Sequence, residues 1–201
     1  MKIMSGTMTA AGERTVIVAC AGLVLLVSFG LLDPVHALVS SALGLTMLAI
    51  AVADARYFLI PDVLCLPAIP AGLIVTWFLA NNAVLEHAIA ALIWFAILWL
   101  LATAFYRVRK IQGLGFGDIK LGAAAGAWNG FDGATHALLL ACLLAICVVI
   151  GLTLASKRQI SRSTVLPFGV FFAPCIWLVW CLVNSGHDLG SYIAALTPSF
   201  D

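Results

Sequence analysis

Long apolar stretches, separated by short polar connections, dominate the chain. The stretches are continuous rather than alternating, which favours helices over strands. The seven apolar runs are 16–32, 36–53, 62–80, 85–106, 119–130, 135–156 and 165–184. Most approach the roughly 20 residues that a helix needs to cross a bilayer core of about 30 Å. Because lipid-exposed backbone must be hydrogen-bonded internally, the pattern predicts an all-α polytopic membrane protein, a bundle of six to seven transmembrane helices.

Three features of the pattern need separate interpretation. The run 119–130 is short and rich in small residues, so a helix there falls short of the bilayer thickness. Pro67 and Pro70 lie inside the run 62–80 and are expected to bend it. The first run is not interpreted as a signal peptide, because another apolar run follows at once. The tail after Ser185 has only a short apolar piece, 192–196, and we predict a single integral-membrane domain over residues 1–201.

Composition supports the membrane assignment. Apolar residues make up 64% of the chain and charged residues 9%, against about 25% charged in soluble domains. The net charge of +1 and the lack of a long basic run give no reason to expect a nucleic-acid partner. The six cysteines lie in apolar runs without CxxC or zinc-ligand spacing, and the four histidines are scattered. We therefore predict no metal site, no cofactor and no disulfide framework.

Basic residues mark alternate connections. Lys2 and Arg14 precede the first run, Arg56 follows the second, and two further clusters follow the fourth and sixth runs. Those clusters are Arg107, Arg109 and Lys110, and Lys157, Arg158 and Arg162. The remaining connections contain Asp33, Glu86 and Asp132 and no basic residue. With seven crossings, all basic residues fall on one side, which the positive-inside rule assigns to the cytoplasm.

Three aspartates lie at run ends on this predicted cytoplasmic side: Asp54, Asp62 and Asp118. A carboxylate at a membrane helix end is a functional hypothesis by default. Two such acids brought together share one proton, as in aspartic proteases, and then supply both a base and an acid. Each acid also has a structural interpretation. Asp62 and Asp118 could cap helices, and Asp54 could pair with Arg56.

The arrangement of these motifs resembles the type IV prepilin leader peptidases, membrane aspartic proteases of the GxGD type. An aspartate ends one helix and leads into a basic residue and an I-P-D turn, 54-DARYFLIPD-62. GxGDxKL follows as 115-GFGDIKL-121, then the small-residue stretch 123-AAAGAWNG-130 and finally 167-PFG-169. The resemblance covers about residues 50–174, in the family's order.

The resemblance implies roles for particular residues. The two catalytic acids correspond to Asp54 and Asp118, and Asp62 to the turn aspartate, which is not one of the essential pair. Active-site loop positions correspond to Gly115, Gly117, Lys120, Pro167 and Gly169. No catalytic role follows for Lys120.

The resemblance also implies a function. The substrate is a prepilin, pseudopilin or Flp-type precursor, cleaved after its short basic leader at the cytoplasmic face of a bacterial or archaeal inner membrane. Larger family members carry an N-terminal region with paired CxxC cysteines linked to methylation; this chain has none, so it resembles the compact, peptidase-only type. Membrane lipids are the other expected partner, and the sequence leaves the oligomeric state open.

Two alternatives compete with the peptidase. Asp54 and Asp118 could carry protons or cations in a membrane transporter, with broken helices at Pro67 and Pro70. Both acids lie near one face rather than at the midplane, which argues against transport. A non-catalytic assembly protein of a secretion system is the third possibility, and the intact acid pair argues against it.

Overall fold

The computed structural model describes residues 10–111, 113–156 and 167–185 of the chain. These residues form six α-helices: α1 (Ala10–Leu31), α2 (Pro34–Tyr57), α3 (Asp62–Leu79), α4 (Val84–Arg109), α5 (Phe116–Ser156) and α6 (Gly169–Asn184). A short 3-10 turn, Asn81–Ala83, links α3 to α4. The described ranges contain no strand. The predicted all-α bundle of six to seven helices is confirmed.

The helices have the lengths and surfaces of membrane spans. Five are long and apolar enough to cross a bilayer, whereas α6 is apolar but has 16 residues. Large apolar side chains such as Leu26, Phe78 and Leu92 are exposed on the outside of the bundle. Lipid hydrocarbon is the solvent that suits such a surface, and the chain is a multi-pass membrane protein.

Helix α5 is broken at a single residue. Gly130 has φ 65° and ψ −166°, a conformation outside the helical region, while the residues on both sides are helical. The predicted break between the runs 119–130 and 135–156 is present, but it is the single residue Gly130 rather than a connection over 131–134, and Asp132 lies in the helix. The first part of α5, up to Asn129, has roughly 14 residues and a length of about 21 Å. This part begins at Phe116, before the predicted start at Ile119.

Helix α2 runs antiparallel to both α1 and α6. Towards its start, Ser40 Oγ lies 2.7 Å from Ser28 Oγ of α1 and 3.1 Å from Cys181 Sγ of α6. Towards its end, Arg56 Nε donates to Glu13 of α1 over 2.7 Å. These contacts bring the last turn of α2 beside the start of α1.

The first part of α5 runs antiparallel to α4 at very short range. A Cβ atom at Gly122 would collide with Leu98, and one at Gly126 would lie 2.6 Å from the carbonyl carbon of Ala90. The small residues predicted at 123–130 therefore allow the two backbones to touch. The same part of α5 runs parallel to α3, where Trp128 Nε1 donates to a backbone carbonyl over 2.7 Å.

These directions bring the last turn of α2 and the first turns of α3, α5 and α6 to one end of the bundle, which we call the acid end. The described basic residues of the connections lie at the same end: Arg14, Arg56, Arg107, Arg109 and Lys110. Asp33 and Glu86 lie at the opposite end. This distribution agrees with the predicted alternation. Lys2, Lys157, Arg158, Arg162 and the tail piece 192–196 lie outside the described residues.

Candidate active site

Asp54 lies in the last turn of α2 and is buried, with 6% of its surface exposed. The helix ends just beyond it because Phe58 takes a left-handed conformation, φ 52° and ψ 37°, and its N–H bonds back to the Asp54 carbonyl. The predicted run ended at Ala53. The helix instead continues to Tyr57, so Asp54 is held by helical backbone rather than by a loop.

The Asp54 carboxylate is bound by the first turn of α6. The Val170 N–H donates to Asp54 Oδ2 over 3.2 Å, and the Gly169 N–H also interacts with this carboxylate. The alternative in which Asp54 pairs with Arg56 is wrong, because Arg56 is bound to Glu13. No sequence motif singles out Val170 as a site residue. Val170 contributes only its backbone N–H, which almost any residue type provides, so the residue type does not reveal the contact.

Asp118 lies in the first turn of α5 and is half-buried. Its backbone N–H donates to the Gly115 carbonyl over 3.1 Å, and its carboxylate accepts from the Gly115 N–H. An acid that reaches back to the residue before its helix forms one half of a capping box. The capping interpretation of Asp118 is therefore partly right. The carboxylate binds a backbone N–H at the start of α5, but it also lies at the acid end near Asp54.

Ile60 packs between the backbone next to Asp118 and the first turn of α6, which binds the Asp54 carboxylate. A Cβ atom at Gly117, next to Asp118, would lie 2.7 Å from Ile60 Cβ, and one at Gly169 would lie 3.0 Å from Ile60 Cδ1. Asp54 and Asp118 interact electrostatically across this cluster. The structure therefore brings these two predicted acids together. Ile60 itself was missed as a site residue, although it is the buried apolar residue of the quoted I-P-D turn.

Asp62 and Lys120 form an ion pair beside the two acids. Lys120 Nζ lies 2.5 Å from Asp62 Oδ1 and 4.8 Å from the centre of the Phe116 ring. The interpretation of Asp62 as a cap is wrong, since the N-cap of α3 is Pro61 without a side-chain hydrogen bond. The pair links the first turns of α3 and α5, which is the role that sequence analysis lacked for Lys120.

The PFG stretch leads into α6. Gly169 is buried against the Asp54 carboxylate, whereas Pro167 is half-buried and precedes the helix. Within the described part of the chain, no three His, Cys, Asp or Glu side chains come close enough to hold a metal ion. All six cysteines are free.

The fold and the site define a class: a helical, multi-pass membrane protein in which aspartates from two helices meet at one end of the bundle. The comparison with protein families then identifies the family. The model of the type IV leader peptidase family matches residues 41–150, a range that contains Asp54 and Asp118. The chain belongs to this family.

Several proteins from bacteria are similar in sequence. The prepilin leader peptidase/N-methyltransferase of Pseudomonas putida is 33% identical over 80% of this chain and 55% of that protein. Proteins of the same name from Burkholderia pseudomallei (strain 1026b) and Aeromonas hydrophila are 33% and 34% identical, over 68% and 70% of this chain and 44% and 49% of their own lengths. The chain thus spans about half the length of the curated relatives it matches. No solved structure matches it significantly.

The comparisons also bear on the alternatives. None of these names describes a transporter, and the transporter alternative is not supported. The relatives' names include N-methyltransferase, an activity that we did not expect of this chain. The prediction of a peptidase-only protein stays a prediction.

Proposed function

We propose that this protein is an aspartic endopeptidase that removes the short basic leader from type IV prepilin-like precursors. The observation that carries the proposal is the meeting of two aspartates, from α2 and α5, at the acid end of the bundle. The two acids belong to different helices, and each carboxylate accepts hydrogen bonds from backbone N–H groups. The relatives' names supply prepilin as the substrate class, and we extend it to the pseudopilin and Flp-type precursors that the sequence resemblance implies.

In the proposed mechanism the pair holds one proton between two carboxyl groups, because like charges at close range resist joint ionisation. The ionised carboxylate takes a proton from a water molecule, which attacks the scissile carbonyl carbon. The protonated carboxyl donates its proton to the carbonyl oxygen, and the resulting tetrahedral intermediate collapses with protonation of the leaving amine. Asp54 and Asp118 are the proposed catalytic residues, and the buried Ile60 packs between Gly117 and Gly169 beside them.

The same proposal assigns the acid end to the cytoplasm. Basic residues flank membrane helices on the cytoplasmic side, and the described Arg and Lys residues of the connections lie at the acid end. A basic leader in the cytoplasm would then reach the acids at the membrane surface while the apolar helix behind it stays in lipid. The proposed location is the cytoplasmic membrane of a bacterium or archaeon, with membrane lipids around the protein.

The decisive experiment measures leader removal. Purified protein in detergent is mixed with a candidate prepilin, and cleavage is followed as the loss of leader mass. Wild type cleaves, while Asp54→Asn and Asp118→Asn each lose activity by at least about a thousandfold, since an amide neither accepts nor donates the required proton. Asp132→Asn, in the helical part of α5 beyond Gly130, is the matched control and keeps full activity.

Two results would contradict the assignment. Near wild-type cleavage by either Asn variant removes that acid from the mechanism, and loss of cleavage in Asp62→Asn instead moves the role to the turn aspartate. Binding of the precursor without any cleavage by wild type would favour the assembly-protein alternative. The mass of the mature product also tests the peptidase-only prediction, which expects no added methyl group.

A further inference from the structure

We propose that the first turn of α6 is a positioning element for the acid pair. The backbone amides of Gly169 and Val170 hold the Asp54 carboxylate, and residue 169 has to be glycine for them to do so. The inference rests on the proposed peptidase function and deepens it. It assigns a role in the active site to α6, a helix that contains neither acid.

The start of α6 lacks a cap of its own. Its N-cap residue, Phe168, makes no side-chain hydrogen bond to the first turn. The first N–H groups of a helix have no intrahelical acceptor and need one from elsewhere. Asp54 Oδ2 supplies it at 3.2 Å from the Val170 nitrogen. A carboxylate from α2 thus serves as the N-terminal cap of α6, and each stabilises the position of the other.

Glycine at position 169 makes this contact possible. A Cβ atom there would lie 2.9 Å from Asp54 Oδ2 and 3.2 Å from Asp54 Cγ. Real Cβ atoms do not approach other atoms at 2.9 Å, so the carboxylate would have to withdraw from the amides. The same Cβ atom would lie 3.0 Å from Ile60 Cδ1, a second contact that has to be separated experimentally from the first.

The amides also stabilise negative charge on Asp54. A helix N-terminus carries a partial positive charge, and hydrogen bonds to a carboxylate favour its charged form. The other charged groups nearby do not take this role. Asp118 of α5 is an acid itself, Arg56 is paired with Glu13 of α1, and Lys120 of α5 is paired with Asp62 of α3. The C-terminal end of α2 carries a partial negative charge and disfavours the charged form of Asp54. The α6 amides are therefore the contacts that stabilise this charged form.

The first test is Gly169→Ala, measured as kcat, KM and the pH profile of precursor cleavage. We expect kcat to fall about ten- to hundredfold, in line with a lost hydrogen bond to a charged group, with KM changed little. The acid limb of the profile moves to higher pH by about one pH unit, because the carboxylate that has lost its donors protonates more readily. A purely structural defect lowers activity without moving the limb. Gly151→Ala is the control, since a Cβ atom there meets nothing within 4 Å.

Two further variants separate the possible causes. Ile60→Val removes the Cδ1 atom, so a Gly169→Ala/Ile60→Val double variant that regains wild-type cleavage would assign the loss to Ile60 and overturn the inference. Val170→Pro removes the donating N–H at a position in the first helical turn, where proline is tolerated. We expect it to move the acid limb as Gly169→Ala does, while Val170→Ala, which keeps the N–H, leaves the limb in place.

An infrared titration reads the same contact without any substrate. The band of the protonated Asp54 carboxyl, identified by its loss in Asp54→Asn, should appear at higher pH in Gly169→Ala than in wild type. If it appears at the same pH, the inference is wrong even if wild type is an active peptidase. If the band moves but wild type cleaves no precursor, the α6 contact stands and the proposed function fails.

Discussion

The ion pair between Asp62 and Lys120 lies at the edge of the site and is expected to contribute little to the stability of the protein. The Asp62 side chain is more than half exposed, and that of Lys120 is mostly buried under the Phe116 ring. Exposed ion pairs stabilise proteins by about 1 kcal/mol or less. The pair links the first turns of α3 and α5.

From this we predict that Lys120→Met lowers cleavage less than about fivefold and lowers the midpoint of thermal unfolding only slightly. The exchanged variant Asp62→Lys/Lys120→Asp should regain part of the loss, because opposite charges again face each other. Cleavage rate and thermal midpoint in detergent are the two measurements. A loss as large as that of Asp118→Asn would give Lys120 a catalytic role instead.

At the scale of helices, close backbone contact fixes where Asp118 stands. Gly122 and Gly126 let α5 lie directly on α4, with the Ala90 backbone against Gly126. Asp118 is one turn from Gly122, so its position follows that of the α4 backbone. Membrane helices often pack through small residues in this way, since no hydrophobic effect drives them together in lipid.

The break at Gly130 yields a prediction at this scale. Its backbone conformation, φ 65° and ψ −166°, is one that residues with a Cβ atom rarely adopt. Gly130→Ala should therefore lower the free energy of unfolding by about 1–3 kcal/mol. Thermal unfolding in detergent measures the loss, with Gly151→Ala as a control in the same helix. An unchanged midpoint would mean that the break does not need glycine.

The helices themselves could largely be predicted from the apolar runs, and their ends could not. The seven runs match the described helices when the two parts of α5, before and after Gly130, are counted separately. Helix α2, however, continues past Ala53 to Tyr57 and carries Asp54 within its last turn. The left-handed Phe58 that ends α2 is not a residue that signals a helix end. Likewise, the types of residues 131–134 do not indicate a helix. They are helical because the break occupies only Gly130, so no longer connection is needed.

The acid pair could be predicted as a pair, since the motifs around Asp54 and Asp118 are specific in type and order. The supports of the pair could not. Val170 acts through its backbone, and Ile60 acts through its position between Gly117 and Gly169. Such contacts depend on how helices distant in sequence come together, which a pattern along the chain does not contain.

At the scale of the whole molecule, the bundle has two chemically different ends. Within the described ranges, the acid end carries the arginines and lysines of the connections, and the opposite end carries Asp33 and Glu86. We predict that the acid end faces the cytoplasm. The test introduces Arg109→Cys or Glu86→Cys into a cysteine-free variant. The cysteine of Arg109→Cys should react with a membrane-impermeant thiol reagent only after the cells are opened. The cysteine of Glu86→Cys should react in intact spheroplasts. The reverse labelling pattern would overturn the proposed orientation.

The contact between Asp54 and Val170 also sets an order of events during synthesis. The two residues are 116 positions apart, and at roughly 5–20 residues per second the ribosome reaches the second about 6–23 s after the first. Both aspartates are thus synthesised before the helix that holds one of them. In the mechanism proposed above, a chain whose α6 has not yet been made contains both acids but lacks the amides that hold Asp54, so full activity waits for the synthesis of α6.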